Sequence, residues 1–486
     1  MMVCNRRRMI VCTLVLLASC SRPQSGRIPL QSGRQTSFPP TSMQAVKRVA
    51  GPTPTILSLL TLRSRLYATQ TAQVAEARST SVSVVSTAEA SVPLTCQVFD
   101  PEGSHLWNRL FCALNARVGP DGTIYGVHDL DTHHWNTSKH LIYGASHDTA
   151  IAVLDEFLGT SGERLITDPR KRALLQRDLW AIFDWLHNRN DEGVRYREIR
   201  ADLQWRLVAV MRRVALSRRE IAALPDNYAA AVDSHVFPSQ FTAQDPERTF
   251  LPPDLFAINV GWVLMGGQDR PLAEFHTEAQ IGSRSVWLVF LRHPGGREET
   301  KKFVQSLAQD NGATNPPTLY PGMEALLMRR MLLIDDSGEI VPSPVTESVQ
   351  IRHYTRPGSR GQRVFDLKLL REGLFREEGG GLSAVEPSER TLIFLNPSDD
   401  DPLEPEEYDV TRGDMGLPIL AECRNCHDHA PTDMGARSIQ SYSRELTGVR
   451  NPHELVISTA ELESMLTVLR KQSTPEWQSL QSLWQP

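Results

Sequence analysis

Two cysteines and a histidine near the C-terminus carry the strongest chemical signal in the sequence. The stretch 421–430 reads AECRNCHDHA and contains Cys423, Cys426 and His427. Residues i and i+3 share one face of a helical turn, so both thiols can reach the two vinyl groups on one edge of a haem. The imidazole of the next residue can then bind the iron. Residue types and spacing together predict covalent attachment of one haem c.

Three other chemistries stay open for the same residues. A zinc site would use Cys423, Cys426, His427 and His429, but adjacent ligands fit tetrahedral geometry poorly and the sequence has no second C-x-x-C. A redox dithiol belongs early in a βαβ domain, whereas this motif lies near the C-terminus. A plain structural disulfide is the remaining alternative.

In this stretch the sequence resembles the c-type cytochromes. The resemblance covers residues 415–486 and does not extend to 93–400. It implies that Cys423 and Cys426 form the two thioethers and that His427 is the proximal iron ligand. It also implies that the C-terminal segment is small and mainly α.

The ligand on the opposite face of the iron has only candidates. Met434 follows His427 closely in the chain, and Met465 lies at a separation typical of small cytochromes. Met465 also belongs to an apolar helical stripe, where a methionine is more often part of a core. His453 lies in a turn, and an open or distant coordination position is the last alternative. A methionine ligand would raise the reduction potential, and an open position would permit small-molecule chemistry.

The N-terminus predicts export and lipid anchoring. A basic run, 6–8, precedes the apolar stretch 9–18, MIVCTLVLLA. That stretch is shorter than the roughly 20 residues of a membrane-spanning helix, but it suits a secretory signal. The tetrapeptide Leu17-Ala18-Ser19-Cys20 resembles the bacterial lipobox, which implies cleavage before Cys20 and lipidation of that cysteine. The expected location is the periplasmic side of a membrane, and Ser21 favours the outer membrane.

Export also bears on the remaining cysteines. Cys4 and Cys12 leave with the signal peptide, so Cys96 and Cys112 are the two thiols without a role. In an oxidising compartment they could form a disulfide, and two buried free thiols are the alternative.

Composition along the chain predicts four segments. Residues 1–19 are the signal peptide, and 20–92 form a flexible tether rich in Ser, Thr, Pro and Gln, a composition that cannot bury enough apolar surface to fold. Residues 93–400 form an α+β domain of unknown function, with a helical first half and a β-rich second half. Residues 401–486 hold an acidic linker and the haem-binding segment, small, mainly α and cytochrome c-like.

Periodicity places the main elements. Apolar residues recur at helical spacing in 105–116, 145–158, 172–187, 197–216, 298–309 and 458–472. Short apolar or alternating runs predict strands at 286–291, around 349–351, at 365–369 and at 391–395. Residues 331–341 predict a strand, an Asp-Ser-Gly turn and a second strand.

Five histidines lie between 128 and 147 and form a second polar constellation. They are accompanied by three aspartates; the eight residues are His128, His133, His134, His140, His147, Asp129, Asp131 and Asp148. A metal site is one interpretation, but the spacing is irregular and a solvated loop is the other.

Charge and composition limit the choice of function. The net charge of −5 gives no reason to expect a nucleic-acid partner. An acidic run at 399–409 could dock a basic redox protein or be a solvated linker. We therefore expect a lipid-anchored haem c protein in electron transfer. Two alternatives are a haem-dependent oxidoreductase whose 93–400 domain binds substrate, and a binding or sensory lipoprotein whose haem is structural or detects a gas; whether the protein is an enzyme stays open.

Overall fold

The structure is a computed structural model that describes the following residues: 96–119, 122–128, 130–131, 135, 138–189, 194–272, 284–309, 319–356, 362–391, 401–403, 417–420 and 455–485. All of them belong to one unit, Ser91–Pro486. It contains both helices and sheets, and its class is α+β, as predicted. The signal and tether predictions for 1–92 lie outside the described residues.

Six helices and a small hairpin come before the main sheet among the described residues. The helices are α1 (Leu106–Asn115), α2 (Ala145–Gly159), α3 (Pro169–Asn188), α4 (Val194–Val214), α5 (Arg218–Ala222) and α6 (Asn227–Asp233). The hairpin pairs β1 (Arg117–Val118) with β2 (Ile124–Tyr125). The helices predicted from periodicity at 105–116, 145–158, 172–187 and 197–216 are thus confirmed.

A seven-stranded antiparallel sheet forms the centre of the fold. Six strands follow one another as a meander: β3 (Trp262–Gly267), β4 (Ser285–Arg292), β5 (Glu324–Ile334), β6 (Ile340–Tyr354), β7 (Gln362–Leu369) and β8 (Leu382–Ala384). Helix α7 (Arg297–Ala308) follows β4, and α8 (Arg371–Arg376) follows β7. The predicted Asp-Ser-Gly turn joins β5 to β6, with Gly338 at φ +90°, a conformation that glycine adopts at little cost.

The C-terminal residues complete the same sheet. β9 (Arg390–Thr391) pairs with β10 (Leu417–Pro418) in a separate two-stranded ladder. β11 (Leu455–Ile457) then pairs antiparallel with β3 and becomes an edge of the large sheet. Helices α9 (Ala460–Gln472) and α10 (Pro475–Trp484) follow. Residues on both sides of position 400 therefore share one sheet and one core.

Local signals explain where several helices begin. Asp168 caps α3 by accepting a hydrogen bond from the Arg170 amide, with Pro169 in the first turn. Ser217 and Glu220 form a reciprocal capping box at α5. Thr459 and Thr474 cap α9 and α10 by accepting hydrogen bonds from the Leu462 and Trp477 amides.

Apolar side chains cover both faces of the central strands. On one face Leu264, Leu288 and Phe290 belong to the main core, which also contains Leu179 of α3 and Trp477 of α10. On the other face the strands pack against α7 in a smaller core that contains Val263, Val289, Leu291, Phe303 and Val304. Burial on both faces explains why β3 and β4 are continuous apolar runs rather than alternating ones.

Candidate functional site

The residues predicted to bind haem lie outside the described part of the chain. These are Cys423, Cys426, His427 and the distal candidates Met434 and His453; the lipidation residue Cys20 also lies outside it. The described chain stops at Leu420 and resumes at Leu455. Met465 is described, on α9, and its side chain is 51% exposed, so its thioether is accessible rather than packed in the core.

Cys96 and Cys112 form a disulfide. Their Cα atoms are 5.7 Å apart, and Cys112 lies on α1. Both residues are buried, and Phe99 packs edge-on against Phe111 beside them. The bond fastens the start of the described chain to the first helix.

Charged side chains from seven parts of the chain meet in the interior. We call this group the buried ionic cluster. Its members are Asp131, Arg284, Arg177 and Asp184 (both on α3), Arg329 (β5), Glu347 (β6), Lys471 (α9) and Glu476 (α10). Four cations face four anions, so the cluster is formally neutral. Because Arg177 and Asp184 are two helical turns apart, both project from the same side of α3.

Asp131 is the centre of one half of the cluster. Its carboxylate lies 2.9 Å from Arg177 and 3.2 Å from Arg284, and it also accepts from Arg329. Glu347 lies 3.0 Å from Arg177 and 2.6 Å from Arg329, and the Ser285 hydroxyl donates to it at 2.5 Å. Two carboxylates thus hold three guanidinium groups of α3, β5 and the start of β4.

Asp184 is the centre of the other half. Arg284 donates to it at 2.7 Å, and the Lys471 ammonium does so at 2.8 Å. Lys471 has no exposed surface; it also contacts Glu476 at 3.0 Å and lies over the Trp180 ring. Arg284 bridges the two halves, so the cluster links α3, the sheet and both C-terminal helices.

The pKa values of the cluster follow from burial opposed by opposite charge. Burial alone would raise the pKa of Asp131, but Arg177, Arg329 and Arg284 outweigh it and hold that pKa well below its usual range. Burial would lower the pKa of Arg329 and Arg284, and their carboxylate partners raise both instead. Opposite charge therefore keeps Asp131, Arg284 and Arg329 in their charged forms. The cluster fixes the elements that carry it in position.

Three other carboxyls differ, because burial prevails over their partners. Burial raises the pKa of Asp178 to about 6, although Arg371 donates to it at 2.6 Å. Burial also raises the pKa of Asp366 to about 7. Burial raises the pKa of Glu463 to about 7; this α9 side chain accepts from the Ser458 hydroxyl at 2.7 Å. These three groups titrate in the physiological range.

Only part of the histidine-rich stretch lies among the described residues. Asp131 belongs to the buried ionic cluster, and the His147 ring contacts the Leu141 carbonyl at 2.9 Å. His133, His134 and Asp129 lie outside the described residues. Within the ranges that the structure describes, no three His, Cys, Asp or Glu side chains are grouped to hold a metal ion.

A cleft of about 530 Å³ opens at the β7–β8 side of the sheet. One wall comes from the segment after α6 and includes Phe237 and Arg248. The other comes from Phe365 of β7 and Val385 after β8, and Leu420 closes one end. Most lining residues are apolar, while the exposed ones include charged Glu247, Arg248 and Glu386. Its volume lies within the range of roughly 300–1,000 Å³ usual for cofactor pockets.

Sequence reasoning missed the buried ionic cluster. Its one local signal is in 172–187, where Arg177, Asp178 and Asp184 interrupt an otherwise apolar helix. Lys471 is a weaker signal, because it lies in the last turn of a helix, where a lysine usually points to solvent.

Beyond these sites, no helix among the described residues is both long and apolar enough to cross a membrane. Set against family models, curated proteins and solved structures, the chain matches none of them.

Proposed function

We propose that this protein is a lipid-anchored, periplasm-facing haem c protein that transfers electrons. The observation that carries the proposal is the pentapeptide Cys423-Arg424-Asn425-Cys426-His427. Its two thiols would form thioethers with one haem, and His427 would bind the iron from one side. The haem supplies one-electron chemistry, and the protein supplies position and ligand field.

The compartment is supported by two independent features. The N-terminus has the charge, length and Leu17-Ala18-Ser19-Cys20 ending of a lipoprotein signal. The buried Cys96–Cys112 disulfide suits an oxidising compartment, since such bonds rarely persist in the cytosol. We infer a membrane attachment through the lipid on Cys20, with the outer membrane as its site.

The cytochrome c-like part is narrower than the segment 401–486. Residues 455–485 are committed to the main sheet and core through β11, α9 and α10. This supports a haem-bearing part that lies between Leu420 and Leu455, inserted into the α+β unit. If Met434 is the distal iron ligand, that ligand comes from the haem-bearing part itself. If Met465 is the distal ligand, it comes from α9 of the α+β unit.

A haem-dependent oxidoreductase is the second candidate function. The cleft of about 530 Å³ favours it, because a simple electron carrier needs no pocket of that size besides its haem. A redox protein partner is expected for both functions, and a small-molecule substrate only for this one.

The decisive experiment is expression together with the c-haem maturation machinery. We expect haem to stay with the chain on a denaturing gel, and Cys423→Ala to lose the normal double attachment. The matched control is Cys96→Ala/Cys112→Ala, which removes two cysteines but should keep the haem. A chain that carries no covalent haem under these conditions contradicts the proposal.

The same preparation distinguishes the two functions. A six-coordinate electron carrier should give reduced spectra that carbon monoxide does not change. A carbon monoxide shift would show an open iron position and would favour the oxidoreductase.

A further inference from the structure

We propose that the cleft at the β7–β8 side of the sheet binds a short peptide with free termini, which lies extended along β8. The site is built from described residues alone and is independent of the haem attachment proposed above. Three features support it: the free edge of a strand, two charges of opposite sign on facing walls, and a cleft of matching length.

β8 offers a strand edge on the side away from β7. The Val385 amide donates to the Asp366 carbonyl of β7 at 2.8 Å. Successive residues of a strand point their N–H and C=O groups to opposite sides, so those of Ala384 point away from β7. Within the described ranges β8 is the last strand of the large sheet on this side. Such an edge can accept one further strand, and an extended peptide can supply it.

This edge lies in the cleft. Ala384 and Glu386 line one wall, and Arg248 lines the wall that faces it. Phe365 and Val385 also belong to the lining, but both are buried. A ligand therefore meets mainly the strand edge and charged side chains, which suits a peptide backbone with charged ends better than an apolar molecule.

Two charges at the cleft select the kind of ligand. Arg363 pairs with Glu247, whereas Arg248 and Glu386 pair neither with each other nor with another charged group of the described chain. Both side chains are exposed and stand on facing walls. A simple anion would leave Glu386 without a partner, and a simple cation would leave Arg248 without one. A peptide with free termini brings a carboxylate for Arg248 and an ammonium for Glu386.

The size of the cleft limits the length of the peptide. Its volume is about 530 Å³. A sphere of that volume is about 10 Å across, and an extended chain spans at most about 3.6 Å per residue. A peptide of about three residues therefore reaches from one side of the cleft to the other.

Calorimetric titration of the intact chain with trialanine tests the proposal. We expect trialanine to bind. N-acetyl-trialanine lacks the ammonium and trialanine amide lacks the carboxylate, so each should bind on the order of tenfold more weakly. Absence of trialanine binding, or equal binding of the three peptides, overturns the proposal.

Substitutions assign each charge of the peptide to its wall. Arg248→Gln should weaken the binding of trialanine about tenfold but leave that of trialanine amide unchanged, because the amide has no carboxylate to lose. Glu386→Gln should likewise affect trialanine but not N-acetyl-trialanine. The matched control is Arg212→Gln on α4, which should change neither. All three side chains are exposed, so the variants should fold. Losses that do not follow this pairing of variant and peptide contradict the proposed orientation.

Hydrogen exchange, followed by NMR, reports the strand edge. When trialanine binds, the Ala384 amide should exchange on the order of tenfold more slowly. The Val385 amide is already bonded to β7 and should change little. Binding without protection of the Ala384 amide rejects the placement along β8.

Discussion

At the scale of single residues, the main finding is that charge, not only apolar surface, fills the centre of this protein. The buried ionic cluster holds four cations and four anions at direct contact distances. Replacing such a network as a whole with apolar residues can be neutral, but removing one member leaves a charge uncompensated in the interior. Each cluster residue is therefore intolerant of single substitution.

Asp131→Asn tests this dependence. The change keeps the size of the side chain but leaves three guanidinium groups short of one negative charge. We expect a loss of about 3–5 kcal/mol in the free energy of unfolding, measured by urea denaturation. The control is Glu156→Gln, which breaks the exposed pair with Arg109 and should cost less than about 1 kcal/mol. Equal effects of the two variants would contradict the role assigned to Asp131.

Glu463 gives the protein a pH dependence of the opposite sign to that of a paired carboxylate. Its pKa is about 7 in the fold against 4.5 in a free side chain, so the folded state holds the proton more tightly. Its contribution to stability is therefore highest below pH 4.5, falls as the pH rises toward 7, and is constant above that. Asp178 and Asp366 add to the same trend.

Glu463→Gln should remove this part of the trend. Between pH 4.5 and 8 the wild type should lose roughly 2–3 kcal/mol more than the variant, measured as urea midpoints at both pH values. Asp178 and Asp366 are present in both proteins, so their contributions cancel when the wild type is compared with the variant. Identical pH profiles would show that the fold does not raise the pKa of Glu463.

The contacts of these residues could hardly be predicted from the sequence. Asp131 stands among histidines, which suggested a metal site, whereas its partners Arg284 and Arg329 lie more than 150 residues away. No local pattern connects residues at such separations. The disulfide between Cys96 and Cys112 was easier to predict, because cysteines of a chain that is predicted to be exported have few other uses.

At the scale of elements, the turn between β5 and β6 shows how local chemistry and distant packing combine. The Gly338 amide donates to the Asp335 carbonyl at 2.9 Å and closes the turn. The Gln481 side chain of α10 donates to the Gly338 carbonyl at 2.5 Å. A Cβ atom on Gly338 would lie 2.6 Å from the Trp484 ring. Glycine is needed here for conformation and for space.

Comparing Gly338→Ala with Gly122→Ala tests the requirement for space. Both glycines have positive φ, but a Cβ on Gly122 meets no atom within 4 Å. We expect Gly122→Ala to cost about 1 kcal/mol and Gly338→Ala about 2–4 kcal/mol, measured by urea or thermal unfolding. If the two costs are equal, α10 does not press on this turn.

Elements with a local signature were predictable, and those made by distant pairing were not. The long apolar stripes of α3 and α4 and the Asp-Ser-Gly turn are visible within windows of a few turns. β11 has only three residues, and what makes them a strand is β3, almost two hundred positions earlier. The sequence predicted a separate C-terminal segment because it gives no sign of that pairing.

At the scale of the whole molecule, the C-terminal residues complete the fold. β11 covers the edge of β3, Lys471 and Glu476 complete the buried ionic cluster, and Trp477 and Leu480 fill the main core. Without them Asp184 keeps one cation instead of two, and the backbone groups of β3 lose their partners on one side.

Deletion of residues 455–486 should therefore prevent folding of the entire unit rather than of its end. We expect loss of a cooperative unfolding transition and aggregation during purification, seen by circular dichroism and size-exclusion chromatography. Deletion of residues 21–90, the predicted tether, is the control and should leave the unfolding midpoint unchanged. A folded, cooperative protein that lacks 455–486 would contradict this account.

The pairing of β11 with β3 also sets a time order for a chain that crosses a membrane N-terminus first. β3 emerges early and must wait, with one edge unpaired, until residues 455–457 arrive. During that interval the edge is a template for strands of other chains. For an exported chain, a periplasmic holding chaperone or slow release from the translocation channel would therefore raise the yield of native protein more than faster synthesis would.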